Sequence, residues 1–201
     1  MKNKIAILLG SASDEKYIEP SLKYYEYFDI NVEVHIMSAH RNPQNVAKFA
    51  SEARDNGYSI LIGSDAPPFS LQRIDGSGYI HSRDILKDHN MVLVFFSSKN
   101  NQSLKTVSDL HQIKAGIKST NIQYYLVNIF EDKDFLKSFV NEKVYTIPVV
   151  MDQYGVALKM FNSEAIPVTV VINKGGKIGY YKEGHSDAEL LNLITHIRSI
   201  E

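Results

Sequence analysis

Short apolar runs alternate with stretches of helical spacing over the first third of the chain. Runs at 5–9, 32–37 and 59–62 are rich in β-branched and other apolar residues and predict strands. Between them, apolar residues recur every three or four positions, which predicts two helices. The order βαβαβ is half of an open, doubly wound parallel sheet.

The two helices predicted in this segment have recognisable starts. Asp14 is placed to cap the first helix. Pro20 lacks a backbone N–H, so this helix is either kinked there or regular only from about Glu19. Asn42 and Pro43 are typical of the N-cap and the first position of the second helix.

The pattern changes after residue 65, and the remaining elements mix hairpins with alternating strands and helices. In chain order they are a hairpin around 74–78, a strand at 91–96, a helix over 104–114, a strand at 122–129, a helix at 133–142, a hairpin around 173–176 and a helix at 188–200. The turn-rich stretch 64–68 is the only boundary signal. The sequence therefore predicts two α/β domains, residues 1–65 and 66–201.

Composition narrows the range of functions. The 201 residues include 22 basic and 23 acidic side chains, a formal charge of -1 that gives no electrostatic reason to bind nucleic acid or an anionic membrane. No apolar stretch approaches the roughly 20 residues of a membrane helix, and 5–9 is too short for a signal peptide, so we expect a cytoplasmic protein. The absence of cysteine excludes disulfides and thiolate nucleophiles.

Polar side chains follow the first two predicted strands, at the edge where ligands bind in open α/β sheets. Gly10 allows a tight turn after the first strand, and the hydroxyls of Ser11 and Ser13, with the free amides of the next helix, are suited to a phosphate. The alternative is an ordinary strand-to-helix turn with a capping aspartate.

The second strand is followed by Ser38, His40 and Arg41. The planar guanidinium of Arg41 suits an anionic group. His40 can exchange a proton near neutral pH without help. The alternative for this pair is a solvated loop. The histidines are scattered, without the close spacing of metal ligands, and we expect no metal and no cofactor.

The stretches GSASD and SAHRNP match, in order and spacing, two signatures of the PurE family of aminoimidazole ribonucleotide carboxylases and mutases. Residues 4–63 resemble the first part of that flavodoxin-like fold. The resemblance implies that a ribonucleotide is bound by Ser11, Ser13, Asp14, Ser38 and Arg41. It also implies that His40 moves a proton during carboxyl transfer.

This chain departs from the family after the third strand. Where the family has a glycine-rich loop with a further histidine, this sequence has 63–68, GSDAPP, and the rest of the family's domain is absent. We therefore expect the phosphate end of the site to persist and carboxyl transfer to be slow or absent.

The stretches APPFSL, MVLVFFSS and IPVTVVINKGGKIGYYKEGH resemble thioredoxin-fold proteins of the TlpA-like or peroxiredoxin-like kind. The resemblance implies a cis peptide bond before Pro167. Aligned on the apolar strand at 92–96, it places the family's two redox cysteines at Asn101 and Leu104. Thiol exchange needs a sulfur nucleophile, so neither oxidoreductase nor peroxidase activity is expected.

Three functional hypotheses follow. The first is a PurE-like ribonucleotide-binding protein on a thioredoxin-like body. The second is a non-redox scaffold that engages a protein partner or another copy of itself. The third is a fusion, natural or constructed, with no combined activity.

Overall fold

The computed structural model describes residues 4–10, 12–38, 42–63 and 65–201. The chain forms two compact units. The first comprises Met1–Ala66 together with Gly175–Lys177, and the second comprises Pro67–Lys174 and Ile178–Glu201.

The first unit is a three-stranded parallel sheet with two α-helices. Its elements are β1 (Lys4–Leu9), a short 3₁₀ helix (Ala12–Asp14), α1 (Glu15–Tyr27), β2 (Asn31–Ile36), α2 (Pro43–Glu52) and β3 (Tyr58–Gly63). The strand order is β2-β1-β3, and β1 pairs in parallel with both neighbours. The predicted βαβαβ order is confirmed.

The two helices cover opposite faces of this sheet. Ile5, Ile7 and Leu9 form a small core against which Ile18 and other residues pack on the α1 side. On the other face, the Phe49 ring of α2 lies 4.6 Å from that of His35. Since alternate residues of a strand point to opposite faces, a buried central strand can serve both helices.

Apolar side chains on both edge strands of the first unit stay exposed. Ile60 and Ile62 of β3 are 52% and 37% exposed, and Ile36 of β2 is 55% exposed. In a complete doubly wound sheet, further strands and helices cover such side chains. The exposure is the structural counterpart of the half-domain seen in the sequence.

Both helix starts are at the predicted positions, but neither is capped as predicted. Asp14 and Asn42 occupy the N-cap positions of α1 and α2, and neither side chain accepts a capping hydrogen bond. Asp14 has the helical dihedrals φ -84° and ψ -16° because it is the last residue of the 3₁₀ helix, whereas capping favours an extended residue. The helix α1 begins at Glu15 and includes Pro20, so a start near Glu19 is wrong.

The second unit is built on a seven-stranded mixed sheet. Its elements are β4 (Ser70–Arg73), β5 (Tyr79–His81), α3 (Ser82–Ile85), β6 (Asn90–Phe96), α4 (Asn101–Gly116), β7 (Ile122–Ile129), α5 (Lys133–Lys143), β8 (Val149–Asp152), α6 (Val156–Met160), β9 (Val168–Ile172), β10 (Ile178–Glu183) and α7 (Asp187–Ser199). The strand order is β10-β9-β6-β7-β8-β4-β5. Both predicted hairpins are present, as the antiparallel pairs β4–β5 and β9–β10.

The strands β6, β7 and β9 form the centre of this unit, and most of their side chains are buried. Residues of β6 such as Val94 and Phe96 share one core with Leu110 of α4 and Ile197 of α7. Burial of apolar area on both faces is the main source of stability in such a sheet. It also explains why the continuous apolar run at 91–96 identified the central strand.

The elements that sequence reasoning missed are short. They are α3, β8 and α6, of four or five residues each. The turn into α6 is held by Asp152, whose carboxylate accepts hydrogen bonds from the N–H groups of Val156 and Leu158 at 2.8 and 2.9 Å. Among the described residues, no helix is both long and apolar enough to cross a bilayer.

Candidate functional site

The carboxyl ends of β1 and β2 meet at one edge of the three-stranded sheet. The backbone N–H of Met37 donates to the carbonyl of Leu9 at 2.7 Å, so the chain segments that follow both strands start side by side. Asp14 and Ser38, one on each segment, are buried, at 3% and 6% exposure. Buried polar groups at this edge are the feature expected of a ligand site.

The other predicted site residues are described only in part. Ser11, His40 and Arg41 lie outside the described residues, and Ser13 is described only through the backbone of the 3₁₀ helix. Their roles stay predictions from the PurE resemblance. The carbonyl of Ser38 accepts a hydrogen bond from the N–H of Asn42 at 2.8 Å, which ties the start of α2 to the end of β2.

Asp14 has a cationic partner that the sequence did not suggest. The Nζ of Lys177 donates a hydrogen bond to the Asp14 Oδ1 at 2.6 Å. The Asp14 side chain is 4% exposed and that of Lys177 30%. A buried carboxylate needs such a partner, because isolated burial of a charge is costly. The two residues are 163 positions apart, so no local pattern could have paired them.

Position 10 suits a glycine because the Asp65 side chain lies close to its backbone. A Cβ on Gly10 would overlap the Asp65 carboxylate. Asp65 lies in the stretch that replaces the family's glycine-rich loop. The glycine therefore does more than permit a turn, because any side chain at position 10 would have to displace Asp65.

A second polar cluster of the first unit joins its three strands near their amino ends. Lys4 pairs with Glu33 at 2.9 Å, and the Tyr58 hydroxyl donates to the same carboxylate. The hydrogen bond from Lys4 holds the pKa of Glu33 below its usual value. The same carboxylate raises the pKa of Lys4 and that of Tyr58. We interpret this cluster as structural because it lies at the amino ends of the strands, whereas ligands of such sheets bind at the carboxyl ends.

In the second unit, the start of α4 is where the fold's redox pair is expected. Asn100 is the N-cap of α4, and its side chain accepts a hydrogen bond from the Ser103 N–H at 2.9 Å. Ser103 is fully buried, and its hydroxyl has no hydrogen-bond partner within the described part of the chain. Asn101 is exposed and Leu104 is half-buried. The N-cap and the buried third helical residue thus have the spacing of a Cys-x-x-Cys pair, one position before the residues chosen by alignment.

The peptide bond between Ile166 and Pro167 is cis, as the thioredoxin resemblance implied. The carbonyl of Pro167 accepts a hydrogen bond from the Gly184 N–H at 2.8 Å.

A buried carboxylate joins the ends of β6 and β7. Glu131 is 5% exposed and accepts hydrogen bonds from the Ser97 hydroxyl at 2.6 Å and the Ser98 N–H at 2.9 Å. The Asn128 amide donates to its second oxygen at 2.6 Å. Sequence reasoning missed this network, although two serines directly after an apolar strand and an acidic residue after the next parallel strand were a visible signal.

A groove of the second unit has a volume of about 610 Å³. The hairpin β4–β5, the helix α6 and the turn before it line it, and Tyr79 and Tyr154 are exposed along it. Ser70 and His81 also line it, with the Ser70 hydroxyl 2.8 Å from the His81 Nδ1. Its size suits a small molecule or a peptide side chain. No cluster of three metal-ligating side chains occurs among the residues that the structure describes.

The fold of the second unit defines the class: a thioredoxin-like α/β domain without a thiol pair. The chain belongs to the AhpC/TSA family, which residues 62–181 match, more than half of its length. Residues 4–65 match a second family, AIR carboxylase, so the first segment is PurE-like.

Curated relatives divide in the same way. The N5-carboxyaminoimidazole ribonucleotide mutases of Saccharolobus solfataricus and Escherichia coli K12 are 32% and 34% identical to this chain over 59 residues. These matches cover 29% of this chain and 37% and 35% of the mutases, so the chain spans little more than a third of their length. The thiol-disulfide oxidoreductase ResA of Geobacillus kaustophilus is 23% identical over 143 residues, 71% of this chain and 80% of ResA.

Solved structures resemble the second unit in fold. A DsbE-like thiol:disulfide interchange protein from Chlorobium tepidum superposes with a TM-score of 0.62 at 20% identity, over 68% of this chain and 95% of that protein. StoA from Bacillus subtilis superposes with a TM-score of 0.55 at 22% identity, over 66% of this chain and 98% of StoA. At this identity, the likeness concerns the fold alone.

Proposed function

We propose that the first unit binds a ribonucleotide through its phosphate, as a PurE-like site that has lost most of its catalytic power. The observation that carries the proposal is the pair of buried polar residues, Asp14 and Ser38, on adjacent segments after two parallel strands. They belong to the two signature stretches whose order and spacing match the PurE pattern. The homology of residues 4–65 to AIR carboxylase supports the same assignment.

The site's chemistry is that of anion binding at a helix start. The free amides at the beginning of α1 and the hydroxyls of Ser11 and Ser13 would hold the phosphate. Arg41 would add a charge-assisted hydrogen bond. His40 would move the proton, as the PurE resemblance implies.

Carboxyl transfer needs more than these groups. A proton shuttle works efficiently in a site that is closed to water and orients both reactants. The matched segment ends at residue 65, and the mutases continue well beyond it. We therefore propose binding without efficient turnover.

Isothermal titration calorimetry with aminoimidazole ribonucleotide tests the binding. Loss of one hydrogen bond to a charged group costs about 1.5–3 kcal/mol, so Ser11→Ala should weaken binding roughly 10- to 150-fold. Ser51→Ala is the matched control, because its hydroxyl donates to the Lys48 carbonyl within α2. If the titration shows no heat of binding at millimolar ligand, the GSASD motif has only a structural role.

Turnover is measured separately, by following the carboxylated ribonucleotide with wild-type protein and with His40→Asn. We expect little activity in either and nearly equal affinities. Robust turnover that His40→Asn abolishes would show that the site is catalytically complete and would overturn this part of the proposal.

The second candidate function is a non-redox binding module in which the second unit engages a protein partner or another copy of the chain. The groove at β4–β5, with its exposed tyrosines, favours it. Sedimentation velocity of the wild type and of Tyr79→Ser/Tyr154→Ser tests self-association through this groove. A concentration-dependent dimer of the wild type that the double variant does not form would favour this candidate function. A wild-type protein that is monomeric at every concentration would exclude self-association through the groove.

A further inference from the structure

The segment Gly175–Lys177 is part of the first unit although it lies far from it in sequence. The Ala66 N–H donates to the Gly176 carbonyl at 2.8 Å. Asp65 and Lys177 pair as an isolated antiparallel bridge. The segment is thus held by backbone contacts to residues 65–66, directly after β3 and at the edge where the candidate site lies.

The Lys177 ammonium reaches Asp14 from this segment. Its Nζ lies 2.6 Å from the Asp14 Oδ1, a charge-assisted hydrogen bond to a side chain that is 4% exposed. Backbone contacts on residues 176 and 177 fix the origin of the lysine side chain. The geometry is therefore that of a built ion pair and not of two mobile surface charges.

An anionic ligand would meet an electrostatic obstacle at this edge. Asp14 precedes the first turn of α1, the turn whose amides would hold the phosphate, and its negative charge would repel a phosphate dianion. Two like charges close together in a buried site are strongly unfavourable unless a cation compensates them. Lys177 is placed to provide that compensation.

We propose that Lys177 is a positioning residue of the ribonucleotide site: it neutralises and orients Asp14, so that a phosphate can bind beside this carboxylate. This proposal rests on the proposed function of the first unit. It assigns to a residue outside the PurE-like segment a role in the ligand site. The segment that carries Lys177 also lies next to Asp65, at the point where the family's glycine-rich loop is missing.

The test is calorimetry with aminoimidazole ribonucleotide on four variants. Lys177→Met should weaken binding about 10-fold or more, in the range of a lost charge-assisted contact. Lys177→Arg should retain affinity within about threefold, because the guanidinium also pairs with a carboxylate. Lys174→Met is the matched control, an exposed lysine of the same turn, and should bind like wild type.

The double variant Asp14→Asn/Lys177→Met separates this role from a merely structural one. If Lys177 acts by neutralising Asp14, removal of the carboxylate's charge should restore part of the affinity that Lys177→Met loses. A double variant that binds no better than Lys177→Met, or a Lys177→Met protein that binds as tightly as wild type or more tightly, overturns the proposal. Absence of heat with the wild type is a different result, because it overturns the proposed function and this inference with it.

Melting temperatures of all variants accompany the titrations. Lys177→Met must melt cooperatively for its affinity to count. If Lys177→Met does not fold, the affinities of Lys177→Arg and Lys174→Met are compared instead. Because an arginine at position 177 can still pair with Asp14, the Lys177→Arg protein should bind the ribonucleotide as tightly as the control. An arginine variant that folds but has lost binding overturns the proposal.

Discussion

The Asn100 side-chain oxygen accepts a hydrogen bond from the Ser103 backbone N–H, 2.9 Å away, at the first turn of α4. An amide and a hydroxyl-bearing residue thus occupy two positions, three apart, at the start of this helix. Neither side chain can form a disulfide or a thiolate. The start of α4 is a well-formed N-cap instead of a redox centre.

The first prediction concerns redox chemistry. Wild-type protein should reduce insulin and turn over peroxide at the rate of a no-protein control, because thiol exchange needs sulfur and the chain has no cysteine. The variant Asn100→Cys/Ser103→Cys should gain a thiol with a pKa below the usual value of about 8.5, since the free amides of α4 stabilise a thiolate at the N-cap. Alkylation rate against pH measures this pKa.

The matched control is Asn101→Cys/Leu104→Cys, the pair chosen by sequence alignment. Its thiols lie inside the helix and not at the cap, so the pKa of the more reactive one should be less depressed. A lower thiol pKa in the control than in Asn100→Cys/Ser103→Cys would show that the alignment gave the correct positions.

The start of α4 illustrates what the sequence could and could not predict. The strand at 91–96 was identified because its apolar run is continuous, and α4 because its apolar residues recur with helical spacing. The loop between them has neither pattern. The sequence therefore predicted both elements but not the residue at which the helix begins, which depends on the Asn100 cap.

The first unit shows a second limit of the same reasoning. Local patterns predicted the βαβαβ order and the edge at which Asp14 and Ser38 are buried. The Lys177 contact to Asp14 depends on the tertiary fold, and nothing near either residue indicates it. The prediction that Asp14 caps α1 used only its neighbours in sequence. In the structure its carboxylate pairs with Lys177 instead.

The second prediction compares two fully buried serines. The Ser103 hydroxyl has no partner in the described part of the chain, whereas the Ser82 hydroxyl accepts the Phe69 N–H at 2.9 Å. Ser103→Ala should be neutral or stabilise the protein by up to about 1 kcal/mol, because an unsatisfied polar group leaves the core. Ser82→Ala should lower the free energy of unfolding by about 1–3 kcal/mol, because a buried N–H loses its acceptor. Urea denaturation measures both, and equal effects would contradict the difference in bonding.

The third prediction concerns Gly179, at the irregularity in the pairing of β10 with β9. A Cβ there would overlap the His196 ring and lie 2.6 Å from the Asn173 Oδ1. Gly179→Ala should therefore cost about 1–3 kcal/mol through overpacking. Gly116, the last residue of α4, faces open space. Gly116→Ala should stabilise the protein by about 0.4–1 kcal/mol by restricting the unfolded chain. Thermal melts of the two variants should thus shift in opposite directions, and a stable Gly179→Ala protein would mean that His196 moves aside readily.

The last prediction concerns the pH dependence of stability through His196. The His196 Nε2 is buried without a hydrogen-bond partner in the described part of the chain, and burial lowers the pKa of this imidazole below its ordinary value. The unfolded chain therefore takes up a proton at a higher pH than the folded protein does. The stabilising contribution is complete above the unfolded pKa of about 6.5 and is lost as the pH falls through the folded pKa.

The free energy of unfolding, measured by urea denaturation between pH 8 and pH 5, should consequently fall on the acid side. His196→Gln should reduce this fall, since the amide does not titrate, whatever the variant's stability at pH 8. The comparison uses the slope with pH and not the absolute stability, because the smaller side chain also leaves packing defects beside Tyr180, whose ring centroid is 6.3 Å away. An unchanged slope in His196→Gln would assign the acid sensitivity to other groups and leave the buried imidazole without a role in it.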